Sequence, residues 1–302
     1  MTKIRSTDSS RIQDRRGGGG GGLSFPGLGR SGGMGGGMGI PMKSGGGLLG
    51  LLVVAAVIFL PRLFGGDGSG GLNQYGGGAA EQSGQGDPCQ TEAEQIVCGA
   101  NEDVQDYWGR EYPQAFDGAE YQDTELVFFS GSTNTGCGGA SAQTGPFYCP
   151  ADNLVYIDLQ FLDQLQQQFG AQGDLASQYI VAHEFGHHVQ SVTGISEQVT
   201  RAQQQNPGQA NELSVALELQ ADCYAGTWAH DAAARDQLDS PDEIDEALNA
   251  AAAVGDDRIQ QQTQGRVDPE SFTHGTSEQR VSWFRRGYST GDPTQCDTFN
   301  EL

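Results

Sequence analysis

Beyond Lys43 this 302-residue chain has no lysine, and beyond Arg62 only eight arginines stand against 37 acidic residues. A body that acidic repels nucleic acid and anionic membrane surfaces, so no nucleic-acid partner is expected. Histidine is scarce too, with five in all: His183, His187, His188, His230 and His274. No pair of cysteines has the C-x-x-C spacing of a thiolate zinc site. The glycine runs lack the spacing and the strand–helix context of phosphate loops. Strands and helices do not alternate as in a doubly wound α/β sheet.

What is present is unevenly spread. Residues 1–44 hold seven basic side chains against two acids, and 26 of the 47 glycines fall between Gly17 and Gly78. Such a stretch buries too little apolar surface to offset its ordering entropy. Residues 1–44 therefore read as a disordered basic tail and 65–86 as a Gly-rich linker. Between them, residues 45–64 form an apolar run, uncharged from Gly45 to Leu60. Sixteen helical residues reach roughly 24 Å, and extension to Phe64 with Arg62 snorkelling covers a hydrocarbon core of ~30 Å. A cleaved signal peptide fits less well, because the basic region ahead is long and no clear small-x-small cleavage site follows. The expectation is a single-pass transmembrane anchor, with the basic N-terminus cytoplasmic and residues 87–302 outside.

All six cysteines follow that run: Cys89, Cys98, Cys137, Cys149, Cys223 and Cys296. An even set on the outer side suggests disulfides in an oxidising compartment. Pairing of sequence neighbours gives Cys89–Cys98 and Cys137–Cys149 and leaves Cys223–Cys296, one of fifteen pairings that six cysteines allow.

The folded part reads as α+β, a small antiparallel sheet followed by a mainly helical remainder. A helix is expected from Asn101, a strand over 124–131, and a hairpin over 145–159 turning at Pro150–Asn153. Helices follow over 158–169, over 175–193 capped by Asp174, over 211–235, after the Ser240-Pro241-Asp242-Glu243 cap, and after Thr276.

One short stretch carries chemistry, "IVAHEFGHHVQ" at 180–190. On a helix, His183 and His187 are one turn apart and converge, close enough to share a zinc ion at ~2.0–2.1 Å. Glu184 stands beside them, placed to take a proton from a water on that ion. This is the H-E-x-x-H pattern of zinc peptidases. His188 sits about 100° round the helix and is expected to be structural. A catalytic zinc needs a third protein ligand and one open position. Gln190 and Thr193 occupy the places where a metzincin has glycine and histidine. Downstream, Glu218 and Asp222 are also one turn apart, within the apolar surroundings of Leu219, Ala221, Cys223, Ala225 and Trp228. Glu218 completes a His2Glu set, and Asp222 accepts the spare N–H of a ligand histidine, His183.

Four segments, "TGCGGASAQTGPFYCPADNLVYIDL" (135–159), "HEFGHHVQ" (183–190), "ELQADCYAG" (218–226) and "FTHGTSEQRVSWFRRGY" (272–288), closely resemble the neutral zinc metallopeptidase family of bacteria. The resemblance runs from about residue 100 to the end, and "DRRGGGGGG" (14–22) with the apolar run after it looks like that family as well. It implies a membrane-anchored, zincin-like peptidase with a glutamate third ligand of the gluzincin kind and Zn2+ as cofactor. It also implies a peptide or protein substrate, hydrolysed by a zinc-bound water with Glu184 as general base. An oxyanion donor is then required; His274 is the candidate, with Arg280 and Tyr224 as rivals. Zincins of this kind take substrate as an added antiparallel strand, here along 138–148. His230 reads as structural. A second reading is a metal-binding, non-proteolytic extracytoplasmic adaptor domain; Glu184 argues against it, because holding zinc requires no base.

Overall fold

The computed structural model describes residues 2–17, 86–170, 173–240 and 242–300. The glycine-rich segments between Gly17 and Gly86 and the apolar run at 45–64 lie outside the described residues. Among those that are described, no helix is long and apolar enough to cross a membrane.

The fold is mixed α+β and mostly helical. Its strands are β1 (Ile12–Asp14), β2 (Glu125–Phe128), β3 (Ser132–Thr135), β4 (Gly138–Ser141), β5 (Phe147–Cys149) and β6 (Leu154–Ile157). Its helices are α1 (Glu92–Ala115), α2 (Leu159–Phe169), α3 (Asp174–Val192), α4 (Ile195–Gln205), α5 (Ala210–Ala234), α6 (Glu243–Ala253), α7 (Asp256–Gln264) and α8 (Ser277–Thr290). The main sheet has the order β1-β2-β6-β5, and β3 with β4 forms a separate ribbon.

The expectation of an antiparallel sheet is corrected in part. The expected hairpin is there: β5 pairs antiparallel with β6, and its turn ends at Asn153 in the left-handed region (φ 55). But β2 pairs parallel with β6, and β1 pairs parallel with β2. The ribbon β3–β4 takes up the chain between β2 and β5 and so forces a crossover that local pattern does not announce.

The disordered-tail reading of residues 1–44 is also corrected for 2–17. These residues are ordered on the body, with Thr2 and Ile4 buried and Ile12–Asp14 forming an edge strand.

Helix boundaries shift where distant residues act. The first helix starts at Glu92, not Asn101; Thr91 and Glu94 form its capping box, and Asn101 is buried in mid-helix. Asp174 opens α3 but does not cap it. Gly173 is the N-cap, Glu246 from α6 accepts from Leu175 N–H at 3.1 Å, and Asp174 is paired with Arg5. That is a cap supplied across the fold. The last helix begins as expected, with a Thr276/Gln279 capping box. The three disulfides are Cys89–Cys98, Cys137–Cys149 and Cys223–Cys296, the neighbour pairing.

At the centre lies α3, whose residues 175–190 are all buried. It is packed by α1, α5, α6 and β5. Its contact with α5 depends on Gly186, inside the H-E-x-x-H stretch. A Cβ there would lie 2.8 Å from Ala221 Cα and 3.1 Å from Ala221 O, so the helices approach backbone to backbone. That approach lets Glu218 and Asp222 reach the histidines of α3. Gly186→Ala is expected to cost about 1–3 kcal/mol by overpacking and to weaken metal uptake in the same variant. Denaturant midpoints and a zinc titration measure the two effects.

Candidate metal centre

Three elements supply the site. His183, Glu184 and His187 come from α3, and Glu218 and Asp222 from α5. Arg280 comes from α8, while His274 lies in the loop before it. Both helix pairs stand one turn apart, so each helix presents its functional side chains on a single face.

His183 Nε2 lies 3.2 Å from Glu218 Oε2, and His187 Nε2 lies 3.4 Å from Glu218 Oε1. The three ligand atoms fall within 4.8 Å of one another, and among the described residues this is the group able to hold a metal. Two imidazole nitrogens and one carboxylate oxygen match the His2Glu set of catalytic zinc sites. The far side of each ring is already engaged. His183 Nδ1 meets Asp222 Oδ1 at 2.9 Å, and His187 Nδ1 meets Gln190 Oε1 at 2.9 Å. With Nδ1 donating, each Nε2 presents its lone pair to the common point, which fits a bound cation.

Behind the ligands stands a second layer of partners. Asp222 is fully buried, and Arg280 donates to it through Nε (2.8 Å) and Nη2 (2.9 Å), while Tyr179 donates its hydroxyl to Oδ1. Arg280 Nη1 also reaches Val254 O at 3.3 Å, and Nη2 is 3.8 Å from Glu218 Oε2. Gln190 donates to Leu217 O (2.8 Å) and Gln220 Oε1 (3.0 Å), and Gln220 in turn donates to Cys296 O (2.9 Å). The His187 ring is thus fixed through a chain of amides that ends at the Cys223–Cys296 disulfide. A lone glutamine near a helix end carries no local signal of this, so sequence reasoning missed it.

The electrostatics agree with a dication. Glu184 and Asp222 are buried carboxylates and Glu218 is half-buried, and among the described residues Arg280 is the fixed cation between them. Two negative charges are left over. Without a metal the same negative charge favours the protonated form of the imidazoles. Burial opposes charge on His183, but Asp222 and Glu218 outweigh it and raise its pKa to about 9. Burial likewise opposes charge on His187, and Glu218 raises it. Burial would raise Glu218, yet His187, His274 and the hydrogen bonds from the ligand histidines hold it well below the carboxylate range. Asp222 behaves similarly: burial pushes it up, and Arg280 and His183 bring it below its ordinary value. Glu184 goes the other way, because burial exceeds the pull of the two histidines.

A histidine whose folded pKa is raised lends stability that is complete below its unfolded value near 6.5. That stability is lost as pH climbs through the folded value of about 9. Metal-free protein is therefore expected to melt progressively lower between pH 6.5 and 9, and zinc-loaded protein to escape the loss. Thermal scans with and without chelator across that range measure it.

Glu184 is buried within α3, and the backbone of Tyr148, on the edge strand β5, favours its charged form. The segment 138–148 is not one continuous edge. Gly138–Ser141 is β4 in the separate ribbon, residues 142–144 form a short 3-10 turn, and β5 begins at Phe147.

The remaining candidates separate cleanly. His274 is buried, its Nδ1 3.1 Å from Asp256 Oδ1, and Asp256 also accepts the backbone N–H groups of Thr273, His274 and Gly275. The next residue, Gly275, packs against Val215 and Leu219 of α5, which brings this loop alongside the turn that carries Glu218. Arg280 faces the rear of His183 and is 2% exposed, so it is poorly placed to meet a substrate. Tyr224 lies round α5 in the core, edge-on to Trp108. His188 is turned off the metal face, with Nε2 2.6 Å from Gln122 O and Nδ1 3.2 Å from the Tyr148 hydroxyl. His230 reaches Tyr288 O at 2.7 Å, away from the centre.

Comparison with known proteins points to zinc. Residues 1–299 match the family described as "Putative neutral zinc metallopeptidase". The chain belongs to that family, whose name implies zinc. It is 44% identical over 296 residues to "Uncharacterized protein YpfJ" of Escherichia coli K12, covering 97% of each chain. It is 50% identical over 190 residues to "Uncharacterized protein Rv2575" of Mycobacterium tuberculosis H37Rv, covering 60% of this chain and 64% of the other. A counterpart in Mycobacterium bovis, "Uncharacterized protein Mb2605", matches to the same extent. No solved structure matches.

Proposed function

We propose that the protein is a zincin-like zinc peptidase that hydrolyses peptide bonds, with His183, His187 and Glu218 holding the metal and Glu184 as general base. The observation that carries this reading is the convergence of those three ligands beside a buried glutamate. Metal binding alone would need no such base. Zinc held there supplies a Lewis acid that brings the pKa of water from 15.7 towards ~7 and polarises a carbonyl. Glu184 takes the proton of the attacking water and hands it to the leaving amine. Its pKa, raised by burial, suits both halves of that transfer. His274, held by Asp256, is the donor to the developing oxyanion. Asp222 and Gln190 keep the ligand rings oriented, and Arg280 neutralises Asp222.

Substrate is read as an extended peptide laid along the open edge of β5, where Tyr148 touches Glu184, with the Gly138-Gly139 ribbon leaving room beside it. Three disulfides among the described residues favour an oxidising, extracytoplasmic setting for the body. Attachment to the membrane is assigned to the apolar run at 45–64.

Incubation of the purified full chain with unfolded casein tests the activity. New amino termini should form, cease with chelator and resume with zinc. Undiminished cleavage in chelator would remove the proposal.

A further inference from the structure

The seven basic residues of the N-terminal 44 are the main argument for a cytoplasmic N-terminus. Five of them lie in residues 2–17, and the fold uses all five on the body. Lys3 pairs with Asp236, Arg5 with Glu92 and Asp174, and Arg11 with Asp123. Arg16 pairs with Glu94 and Asp14 and lies over the Phe128 ring, and Arg15 lies over the Tyr156 ring. The positive charge of this segment is thus complementary to the acidic body.

The backbone is bound as closely. Lys3 N–H donates to Gln237 O (2.9 Å) and Ser6 N–H to Gln95 O (3.1 Å), while the Gln178 side chain donates to Ile4 O (2.6 Å) in the interior. Strand β1 completes the main sheet in register with β2, Ile12 opposite Leu126. Gly99 in α1 leaves the space this requires: a Cβ there would meet Arg5 Cα at 2.6 Å and Ile4 O at 2.8 Å. Asp8 O is 3.3 Å from Sγ of Cys89, so the segment also rests against the Cys89–Cys98 disulfide. The family match likewise begins at residue 1.

Chain that leaves this body at Gly17 and rejoins it at Gly86 starts and finishes on the same body. While the segment is docked, the intervening chain crosses a bilayer an even number of times or not at all. The single apolar run, uncharged over 45–60, provides for one crossing at most, because each needs about 20 residues. We propose that residues 2–17 and the disulfide-bonded body lie on the same side of the membrane. The run at 45–64 then meets the lipid from that one side and carries no N-terminus across. This replaces the single-pass orientation expected from charge, and it holds whichever side the body occupies.

The test uses the full chain in bacterial spheroplasts. All six native cysteines are paired, so Thr7→Cys and Thr200→Cys, both at exposed positions, each add one free thiol. A membrane-impermeant maleimide is applied before and after permeabilisation. The two variants are expected to label alike. Labelling of both before permeabilisation also places the body outside, and labelling of both only afterwards places it inside without affecting the proposal. Thr200→Cys labelled in intact spheroplasts with Thr7→Cys labelled only after permeabilisation would overturn it. An Ile12→Cys/Leu126→Cys chain checks the docking in the same cells. It should form a cross-link across β1 and β2, and a chain still uncross-linked after mild oxidation contradicts the inference.

Discussion

Glu184→Gln is expected to lower turnover about 10²–10⁴-fold while zinc uptake stays close to that of the unaltered chain. Glutamine keeps the volume and one carbonyl oxygen able to accept, so the helix and the edge strand have no reason to move. What it loses is the ability to take a proton from water and return it to the amine. Glu184 is absent from the ligand set, in which His183, His187 and Glu218 converge. Affinity and turnover should therefore separate in this one variant. Single-turnover cleavage of casein with metal analysis on the same samples shows whether they do. Wild-type turnover in Glu184→Gln would place the base elsewhere. No turnover in either chain, with zinc bound, would favour the metal-binding adaptor reading.

Glu218→Ala should produce the opposite separation. Removing one of three ligands is expected to weaken zinc by more than about 100-fold, beyond the 10–100-fold typical of the partners that orient ligands. Asp222→Asn belongs to that second group and is expected to fall within it. It carries an additional cost, because Arg280 is 2% exposed and Asp222 is its main partner. Leaving a buried charge unpaired costs about 3–5 kcal/mol. Asp222→Asn should thus lose thermal stability even when saturated with zinc, and Glu218→Ala chiefly its metal. Competition against a chelating dye, together with melting curves, distinguishes the two. Unchanged zinc affinity in Glu218→Ala would refute the ligand assignment.

How much of this was legible depended on the range of the interaction. Helical period placed His183 and His187 together and turned His188 away, and the same period paired Glu218 with Asp222. Those are relations within one helix. The bridge between the two helices was inferred from apolar context and from what a zinc ion needs, and Gly186 is the residue that makes it sterically feasible. The orienting role of Gln190 leaves no local sign, because it is set by Leu217 and Gln220, which lie on α5. Glu246 caps α3 from another helix, so the local pattern pointed to Asp174 instead. The docked N-terminus was the largest omission. Its basic residues match the charge pattern of a membrane anchor, whereas their partners are acids far along the chain. Composition alone cannot tell these two uses of positive charge apart.

The most direct measurement is a zinc titration of metal-free full-length chain, with bound metal and casein cleavage followed in the same samples. Both are expected to rise together and to saturate at one zinc per chain. Cleavage without bound metal, or one zinc bound at His183, His187 and Glu218 with no cleavage, would contradict the assignment of this centre as a peptidase site.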